Sequence, residues 1–516
     1  MLLTLCSCRK PDEVIVSDSP VITPTQETEQ EEKEDTSLRN TLFALRFVPS
    51  QSLNPITCTD VYNDAITSLI YEGLFRLDKH FRPVNVLCDS YTSDDGKQFY
   101  FTLIDTVMHD GNPLTANDAA YSINLARSTT KYAARLANVS YCGVTDDGQL
   151  DIRLAKSDYS LPALLDIPII RNNSGNEYSP AGTGPYIYNE TGGYHHLTAF
   201  SDYRNYDTLP YNAVYLRDIP DSKVVENFDN HQLSLIWDDP LDENPVNLHA
   251  GLEIRSYDTT ILQYIGFNSH STPMSDINIR KAVACAVDRD YIVNDIFRST
   301  GRSAPLILNG GYYAYSDLWE DTSDYSEDRL QYYLDEAKLK DENDDGYLEY
   351  PVFDEYQPMF ITFIAYAGNS KKLEAARSVA EKLQNAGLYI DFRELNWEDY
   401  QSALNNGAFD LYYTEVSLPQ DFDFSFILSP YAKMDFGEMG SEENEILCRA
   451  FLDATTDENK LSAAKTLCTV ISDNVSIIPI MYRQYVVYTH RGIITDFTPT
   501  ISGIFSNVTE WTIHKS

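Results

Sequence analysis

Short apolar runs and amphipathic segments alternate along most of the chain. Residues 41–47 form an apolar run of strand length. Residues 60–78 predict a helix, because apolar or small side chains recur at a spacing of four and Asp60 can cap the first turn. Thr115 and Asp118 have the spacing of a capping box and predict the start of another helix. The side chains on the apolar face of the first helix are Val61, Ala65, Leu69 and Gly73.

Two later stretches alternate between strand and helix patterns. The first has a strand at 213–219, a helix at 221–229 and a strand at 233–237. The second has strands at 359–366, 388–395 and 409–416, separated by a helix at 370–386, which Gly387 ends, and a helix that starts at Asn396. This βαβ order predicts parallel sheets joined by right-handed crossovers.

The predicted sheets also locate a binding site. Ligands of open α/β sheets bind beyond the carboxyl ends of the strands. Three loops leave those ends, at residues 48–59, 238–242 and 417–426. If the two stretches form separate lobes, these loops face each other across a cleft.

Composition limits the class of protein. The chain has 516 residues, 43% of them hydrophobic, and its mean hydropathy is −0.34. Because this length exceeds what one hydrophobic core supports, two or three domains are expected. No run of 18 or more apolar residues occurs, so no helix is expected to span a membrane. The formal charge of −39 repels phosphate backbones and argues against a nucleic-acid partner.

The first residues resemble a bacterial lipoprotein signal. In Leu5-Cys6-Ser7-Cys8, Cys8 is the cysteine that would carry a lipid, since Cys6 would have the bulky Leu5 before it. Residues 1–8 are too short for a complete signal peptide. Two interpretations remain: a truncated leader and a frayed apolar terminus. Residues 9–39 include an acidic segment without aromatic side chains, which predicts a disordered tether.

The other cysteines are far apart in the sequence. None forms a CxxC pair, so neither a zinc ribbon nor a thioredoxin-like motif is present. Disulfide pairing and buried free thiols both remain open. The residues are Cys58, Cys88, Cys142, Cys285, Cys448 and Cys468.

Several short motifs occur in the order found in one protein family. Each motif is weak alone, but together they form a strong signal from Leu53 to the last forty residues. The motifs are Leu53-Asn54-Pro55, Tyr71-Glu72-Gly73-Leu74-Phe75, Asp94-Asp95-Gly96-Lys97, His109-Asp110-Gly111-Asn112-Pro113-Leu114-Thr115-Ala116-Asn117-Asp118, Gly182-Thr183-Gly184-Pro185-Tyr186, Phe267-Asn268, Ile279-Arg280-Lys281-Ala282, Ala286-Val287-Asp288-Arg289 and Ile478-Pro479-Ile480. The chain resembles the family 5 extracellular solute-binding proteins, the oligopeptide- and dipeptide-binding components of bacterial ABC importers.

The resemblance implies an α/β flytrap of two lobes with an extra domain inserted in lobe I. Lobe I would combine residues 40–76, 180–266 and 489–516, the inserted domain would be 77–179, and lobe II 267–488. The resemblance further implies a monomer, lipid-anchored to the cell membrane or periplasmic. It would capture peptides by lobe closure and deliver them to ABC permease and ATPase subunits. No cofactor, no metal and no enzymatic activity are expected.

The resemblance also suggests where a peptide would bind. Family members that bind a free peptide N-terminus accept its ammonium group with an aspartate in the loop after a lobe II strand. The first candidate here is Asp421, followed by Asp423 and Glu415, because the segment departs from the family's Asp-x-x-Asp-Pro pattern. A solvated acidic loop is the alternative.

Further ligand-binding candidates lie in a turn, at a strand end and at the expected crossing between the lobes. An aromatic wall at the strand end would suit an amphipathic ligand, although core packing is an equal alternative. The residues are Thr59, Asp60 and Tyr62 in the turn, Trp237 at the strand end, and Tyr264, Phe267 and Asn268 at the crossing.

One acidic segment resembles an EF-hand loop. Asp341, Asn343 and Asp345 occupy its first, third and fifth positions, and Gly346 its sixth. Position twelve is Val352 instead of a bidentate glutamate, so an acidic surface turn is favoured over a calcium site.

Other motifs offer little catalytic chemistry. His195-His196 are adjacent, which predicts no metal site, and His109-Asp110-Gly111 predicts a turn before the Thr115 helix. No GxSxG, HExxH or phosphate-cradling glycine loop occurs.

A secreted hydrolase with paired carboxylates is the main enzyme alternative. Sugars, nickel chelates or other small solutes are the alternative ligands, and a structural surface protein is a further alternative.

Overall fold

The computed structural model describes residues 42–514, except 243, 244, 247, 249, 250, 320–324 and 354. The expected signal at 1–8, with Cys8, and the expected tether at 9–39 lie outside the described residues. These residues belong to one compact unit, which runs from Leu38 to Ser516. Among its described helices, none has the length and apolar character that crossing a membrane requires.

The secondary structure alternates throughout. The helices are α1 Val61–Thr67, α2 Ala116–Arg127, α3 Val224–Asp229, α4 Thr272–Ser275, α5 Ile277–Cys285, α6 Glu327–Glu336, α7 Ser370–Asn385, α8 Trp397–Asn405, α9 Ser425–Leu428, α10 Glu442–Leu452 and α11 Asp457–Asn474. The strands are β1 Ala44–Phe47, β2 Phe75–Leu77, β3 Pro83–Asn85, β4 Cys88–Thr92, β5 Gln98–Leu103, β6 Val139–Val144, β7 Leu150–Leu154, β8 Tyr186–Thr191, β9 Tyr194–Ala199, β10 Ala213–Asp218, β11 Leu235–Asp238, β12 Leu252–Phe267, β13 Gly301–Ser303, β14 Glu349–Val352, β15 Glu355–Pro358, β16 Phe360–Tyr366, β17 Tyr389–Leu395, β18 Leu411–Ser417, β19 Ile477–His490, β20 Ile494–Thr495 and β21 Thr512–Ile513.

A sheet in the order β1-β10-β9-β8 builds the first half of the fold. β1 runs parallel to β10, and the other pairs are antiparallel. Phe43, just before β1, stacks on Tyr211 at a ring distance of 4.6 Å and lies edge-on to Trp511 at 5.9 Å. The last residues of the chain therefore pack on the first strand.

The segment between these strands folds on a sheet of its own, in the order β4-β5-β7-β6. Helix α2 packs against β6 and β7. The carboxylate of Asp118 accepts a hydrogen bond from the backbone N–H of Thr115 at 2.9 Å, so the predicted helix start is confirmed. Arg171 forms an ion pair with the same carboxylate at 3.2 Å.

The largest sheet has the order β11-β19-β12-β18-β16-β17, and β13 pairs with β19. β16 runs parallel to both β17 and β18, which confirms the second predicted βαβαβ stretch. The side chains of Asn369 and Asn396 cap α7 and α8. Buried residues of α7 and α8 belong to two different apolar cores, so this half of the sheet is covered by helices on both faces.

The strands and helix predicted for the first βαβ stretch form, but its two strands are not neighbours in a sheet. β10 pairs with β1, and β11 pairs antiparallel with β19 instead of joining β10 in a parallel sheet. The backbone N–H of Ser234, just before β11, donates to the carbonyl of Ala44 at 2.9 Å, so β1 lies between the two strands. The pattern of apolar residues indicates which segments are strands, but the neighbours of a strand depend on residues distant in sequence.

The predicted helix at 60–78 is correct only in its first part. Asp60 caps α1 by accepting from the N–H groups of Tyr62 and Asn63. Beyond the helix, the carbonyls of Leu69 and Ile70 accept hydrogen bonds from residues Tyr186 and Gly184, both at 3.0 Å. Tertiary pairing thus replaces the helical bonds that the spacing suggested.

The described cysteines, from Cys58 to Cys468, are all free and buried. Of the two interpretations left open by the sequence, buried thiols are therefore confirmed for these residues. Burial raises the pKa of the Cys58 thiol to about 11, so it is neutral at physiological pH.

Candidate functional site

Two long strands connect the halves of the molecule. β12 and β19 have 16 and 14 residues and pair with each other over most of their length. One end of this pair lies beside β11, and the other end pairs with β18. Between Asp258 and Leu262 the register shifts, so that three residues of β12 oppose Arg483 alone in β19.

Threonine hydroxyls replace the regular ladder bonds at this irregularity. Thr259 donates its hydroxyl proton to the carbonyl of Arg483, and Thr260 donates to the carbonyl of Leu418, both at 2.7 Å. A bulge of this kind interrupts pairing and bends a strand. The paired strands therefore have their weakest point where the two halves join.

Four charged side chains surround the irregularity, and we call Asp239, Lys372, Glu415 and Arg483 the hinge cluster. The Arg483 side chain is only 9% exposed; one of its terminal nitrogens binds Asp239, and the other lies 3.2 and 3.3 Å from the Glu415 oxygens. Lys372 forms a second ion pair with Glu415 at 2.5 Å. Burial lowers the pKa of Lys372, and Glu415 opposes this shift. The cluster holds two positive and two negative charges, so it is neutral as a unit.

The loop after β11 meets the start of α7 beside this cluster. The Asn369 amide donates to the Leu241 carbonyl at 2.8 Å, and the Lys371 ammonium donates to the Pro240 carbonyl at 3.0 Å. The predicted loop at 238–242 therefore contacts the half of the molecule that carries α7. This contact and the hinge cluster together join the two halves beside the register shift.

Tyr62 and Trp237 come together on the first half, with ring centroids 5.3 Å apart and both side chains half-buried. The Arg46 guanidinium lies 3.8 Å above the Tyr62 ring and forms an ion pair with Asp221 at 2.6 Å. Burial raises the pKa of Tyr62. Trp237 also packs against the core of the first half, so it contributes to both the core and the surface.

The third predicted loop faces the inserted segment instead. Phe422 packs edge-on against Phe81 at 5.0 Å. The neighbouring Asp421 is 4% exposed and lies close to Asp158, which is 3% exposed. The Lys460 ammonium donates to Ser160 and to a backbone carbonyl, both at 2.7 Å.

We call Asp158, Asp421, Asp423 and Lys460 the buried acid cluster. Burial raises the pKa of Asp158 to about 6 and lowers that of Lys460 to about 8. The pKa of Asp421 is raised well above its usual value by burial and by the neighbouring carboxylates. An ammonium group can reach Asp421 only if the inserted segment moves away, and its role as the ammonium acceptor stays a prediction.

The remaining predicted ligand residues differ in position. Thr59 is exposed, and Asp60 is occupied by capping α1. Tyr264 and Phe267 are fully buried in the core, and the Asn268 amide donates to two backbone carbonyls. In this conformation the side chains of Tyr264 and Phe267 have no surface through which a ligand could touch them.

Sequence reasoning missed Asp239, Lys372 and Arg483. Two of them carry a recognisable signal. Arg483 lies in the middle of a mostly apolar strand, where an unpaired charge is costly. Lys372 lies in the first turn of α7, an unfavourable place for a cation without a carboxylate partner.

The EF-hand-like loop gathers one more carboxylate than expected. Oxygens of Asp341, Asp345 and Glu349 lie within 4.8 Å of one another. Glu349, at position nine, is 5% exposed, and its carboxylate accepts a bond from the Asn343 amide at 2.6 Å. The sequence pattern, with Val352 at position twelve, gave no indication of Glu349. The preference for an acidic surface turn over a calcium site stays a prediction.

His109 has a structural role. Its ring nitrogens lie 2.9 Å from the Gly184 carbonyl and 3.3 Å from the Gly182 N–H. The backbone N–H of Gly111 donates to the carbonyl of Met108, which closes the predicted turn. His195, for which no metal was predicted, lies 2.8 Å from the Tyr188 hydroxyl.

These features define a class of protein. Two α/β halves joined by a pair of continuous strands form a two-lobed fold of the solute-binding type. The model for the bacterial extracellular solute-binding proteins, family 5 (middle region), matches residues 82–435. The chain belongs to this family.

Known relatives agree with this assignment. The chain is 25% identical over 382 residues to the oligopeptide-binding protein AppA of Bacillus subtilis, a match that covers 69% of each chain. It resembles the murein tripeptide-binding protein MppA in its unliganded open form, with a TM-score of 0.76, 14% identity and coverage of 92% of this chain and 98% of MppA. NikZ of Campylobacter jejuni with Ni(L-His) gives a TM-score of 0.62 at 16% identity, covering 92% and 99%.

Proposed function

We propose that the protein captures peptides between its lobes and delivers them, unaltered, to the permease and ATPase subunits of an ABC importer. The observation that carries this proposal is the hinge cluster at the register shift of β12 and β19. A joint made of two strands with an interrupted ladder allows one half to rotate against the other. A ligand then stabilises the closed form through contacts that exist only in that form.

A zwitterionic peptide suits the charges of the cleft. Its ammonium group can replace Lys372 on Glu415, and its carboxylate can replace Glu415 on Arg483. The ammonium exchange releases Lys372, and the ligand carboxylate beside Arg483 then supplies a new negative partner for it. Tyr62 and Trp237 supply an aromatic surface for apolar side chains. The relative AppA, named as oligopeptide-binding, supports peptides as the ligand class.

A nickel chelate is the second candidate because NikZ has a similar fold. Among the described residues, the group of three or more His, Cys, Asp or Glu side chains that converge is the Asp341 loop, which contributes nothing to the cleft. Within that part of the chain, a nickel ion in the cleft would have to arrive with its own ligands. This chemistry favours peptides over free metal.

The domain division follows from the same strands. We propose lobe I from residues 40–76, 180–266 and 489–516, an inserted domain at 77–179, and lobe II at 267–488. The separate sheet of β4 to β7 supports the insertion. The bulge at Thr259 and Thr260 suggests that the hinge lies a few residues before the proposed boundary.

Native mass spectrometry and calorimetry test the proposal. Protein purified without denaturation should retain peptides of a few residues, and added peptides should be recovered unchanged. Trp237→Ala should weaken peptide binding at least tenfold, because it removes a large contact surface. Trp397→Ala, on the exposed face of α8, is the matched control and should bind normally.

Two results would contradict parts of this proposal. Conversion of a peptide or sugar to product would show an enzyme instead of a transport component. Equal affinity for free-amine and N-acetylated peptides would remove the assignment of an ammonium acceptor to Asp421, Asp423 or Glu415.

Lipid anchoring is a separate proposal. We infer that Cys8 carries a lipid that holds the protein at the outer face of the cytoplasmic membrane, with residues 9–39 as the tether. Cys8→Ser should release the protein from the membrane fraction, whereas the control Cys6→Ser should not. Membrane retention of both variants would contradict the assignment.

A further inference from the structure

A cavity of about 80 Å³ lies between α5, α6, the end of α11 and the start of β19. It shares no residue with the hinge cluster, the Tyr62–Trp237 pair or the buried acid cluster. Much of its wall is apolar. The apolar residues include Ala284, Leu306, Ile307, Ile471, Val475 and Ile478.

Three cations line the same cavity, namely Lys281, Arg289 and Arg329. Among the described residues, the side chains of Lys281 and Arg329 form neither an ion pair nor a hydrogen bond. The Lys281 ammonium instead lies 5.7 Å from the centre of the Tyr333 ring. Asp473 lines the exposed rim, but it lies beyond ion-pair distance of both cations. Two such cations are unexpected in a chain with 78 acidic and 39 basic residues.

Helix ends do not explain these charges. α5 and α11 both end at the cavity, and their last carbonyls carry partial negative charge. Arg280 already occupies the end of α11, because its guanidinium donates to the Asn474 carbonyl at 3.0 Å. The guanidinium of Arg289 is fixed by donating to the carbonyls of Ala304 and Pro479 at 3.1 and 2.9 Å. The side chains of Lys281 and Arg329 bind none of these carbonyls and can therefore bind a ligand.

We propose that this cavity binds a small carboxylate with a short apolar tail. The carboxylate lies between Lys281 and Arg329, which can bind it by charge-assisted hydrogen bonds. The tail lies against Ile471, Val475 and Ile478 and is removed from water. The free volume exceeds that of a single water several times over, which is enough for a chain of a few carbons. The inference is independent of the function proposed for the cleft.

Hexanoate and hexanol form a matched pair of probes, because they share the tail and differ in charge. We expect hexanoate to raise the melting temperature of the full chain in a saturable manner and hexanol to have no such effect. Inorganic phosphate tests whether charge alone suffices, and it should be without effect at equal concentration. Stabilisation by phosphate equal to that by hexanoate would overturn the role of the apolar wall.

A double variant tests the two cations. Lys281→Met/Arg329→Met should weaken hexanoate binding at least tenfold, since the carboxylate loses both partners. Lys465→Met/Arg491→Met removes the same charge from exposed positions outside the cavity and should bind like the original protein. Unchanged hexanoate affinity in the first variant would overturn the proposal.

Cys285 offers a readout at the cavity itself. It lines the cavity, and its pKa is raised by burial while the charges of Arg329 and Arg289 oppose the shift. Both thiols are buried and react only slowly in the native protein, so their alkylation is followed over long times by peptide mass spectrometry. Hexanoate should slow that of Cys285 at least fivefold without changing that of Cys448. Equal protection of both thiols would indicate general stabilisation and would count against the site.

Discussion

Replacing Asp158 by asparagine should make the protein more stable near neutral pH. Asp158 and Asp421 are buried against each other where the inserted segment meets the loop after β18. Two carboxyl groups in such contact favour sharing a proton. Burial is the largest cause that raises the pKa of Asp158 from 3.8 to about 6, and the bond from Ser160 N–H and the charge of Lys460 oppose it.

The sign of the pH dependence follows from proton binding. Between about pH 4 and 6 the folded protein holds a proton on this carboxyl that the unfolded chain has lost. The free energy of unfolding therefore falls as the pH rises through that range and stays low above it. A shift of two pKa units corresponds to at most about 3 kcal/mol. Asparagine cannot ionise, so the variant does not lose this free energy of unfolding, and its amide can still donate to Asp421. We therefore expect the free energy of unfolding to rise by about 1–3 kcal/mol at pH 7.5.

Thermal unfolding between pH 4.5 and 8 measures the effect. A gain of this size should raise the melting temperature of Asp158→Asn by several degrees at pH 7.5, with a smaller difference at pH 4.5. Asp118→Asn is a matched control, since it neutralises another buried carboxylate that faces Arg171, and it should lower the melting temperature. A loss of stability in Asp158→Asn at pH 7.5, or an unchanged slope between pH 4.5 and 6, would refute the reasoning.

Three further predictions concern the hinge, the ligand and the thiols. Arg483→Met should cost about 2 kcal/mol, because it leaves the partly buried Asp239 without its partner and Glu415 with Lys372 alone, whereas Arg393→Met at the exposed pair with Asp391 should have little effect; denaturant unfolding compares them. If a peptide ammonium binds Asp421, the carboxyl loses its proton, and calorimetry in buffers of different ionisation enthalpy should detect proton release. The buried thiols should resist maleimide in the native protein and react after denaturation, and rapid native labelling of Cys88 would contradict its burial.

Local signals predicted the second βαβαβ stretch because everything they required lies within a few residues. Asn369 and Asn396 both precede apolar periodicity and cap the helices that follow. The parallel pairing of β16 with its neighbours then follows from the short crossovers. The pattern was less informative for β11, whose partner β19 begins more than 230 residues later.

The hinge cluster could not be predicted from the sequence for the same reason. Asp239 and Arg483 are 244 residues apart, and their contact depends on the pairing of β11 with β19. The spacing of apolar residues indicates local helices and strands, and it does not indicate a contact between residues so far apart. The lone arginine within the mostly apolar strand β19 indicates only that a carboxylate partner exists somewhere in the fold.

The family motifs mark the scaffold more than the ligand site. A side chain on Gly184 would come within 2.5 Å of the Ile70 backbone, and one on Gly73 within 2.7 Å of the Asp166 backbone. Only glycine permits these close approaches. Asp118 likewise serves the start of α2 and the ion pair with Arg171. Such residues identify the fold, and they do so independently of what it binds.

Charge balance explains why the cleft should discriminate between ligand classes. The hinge cluster is neutral, and Arg483 is almost fully buried within it. A sugar would leave these ion pairs intact and could gain only the aromatic surface of Tyr62 and Trp237. A lone cation on Glu415 would displace Lys372 and leave that ammonium unpaired, and a lone anion on Arg483 would add an uncompensated negative charge to the neutral cluster; both are costly in a buried site. A zwitterion can exchange partners at both ends without that cost, so lobe closure over this cluster should favour peptides over neutral or singly charged solutes of similar size.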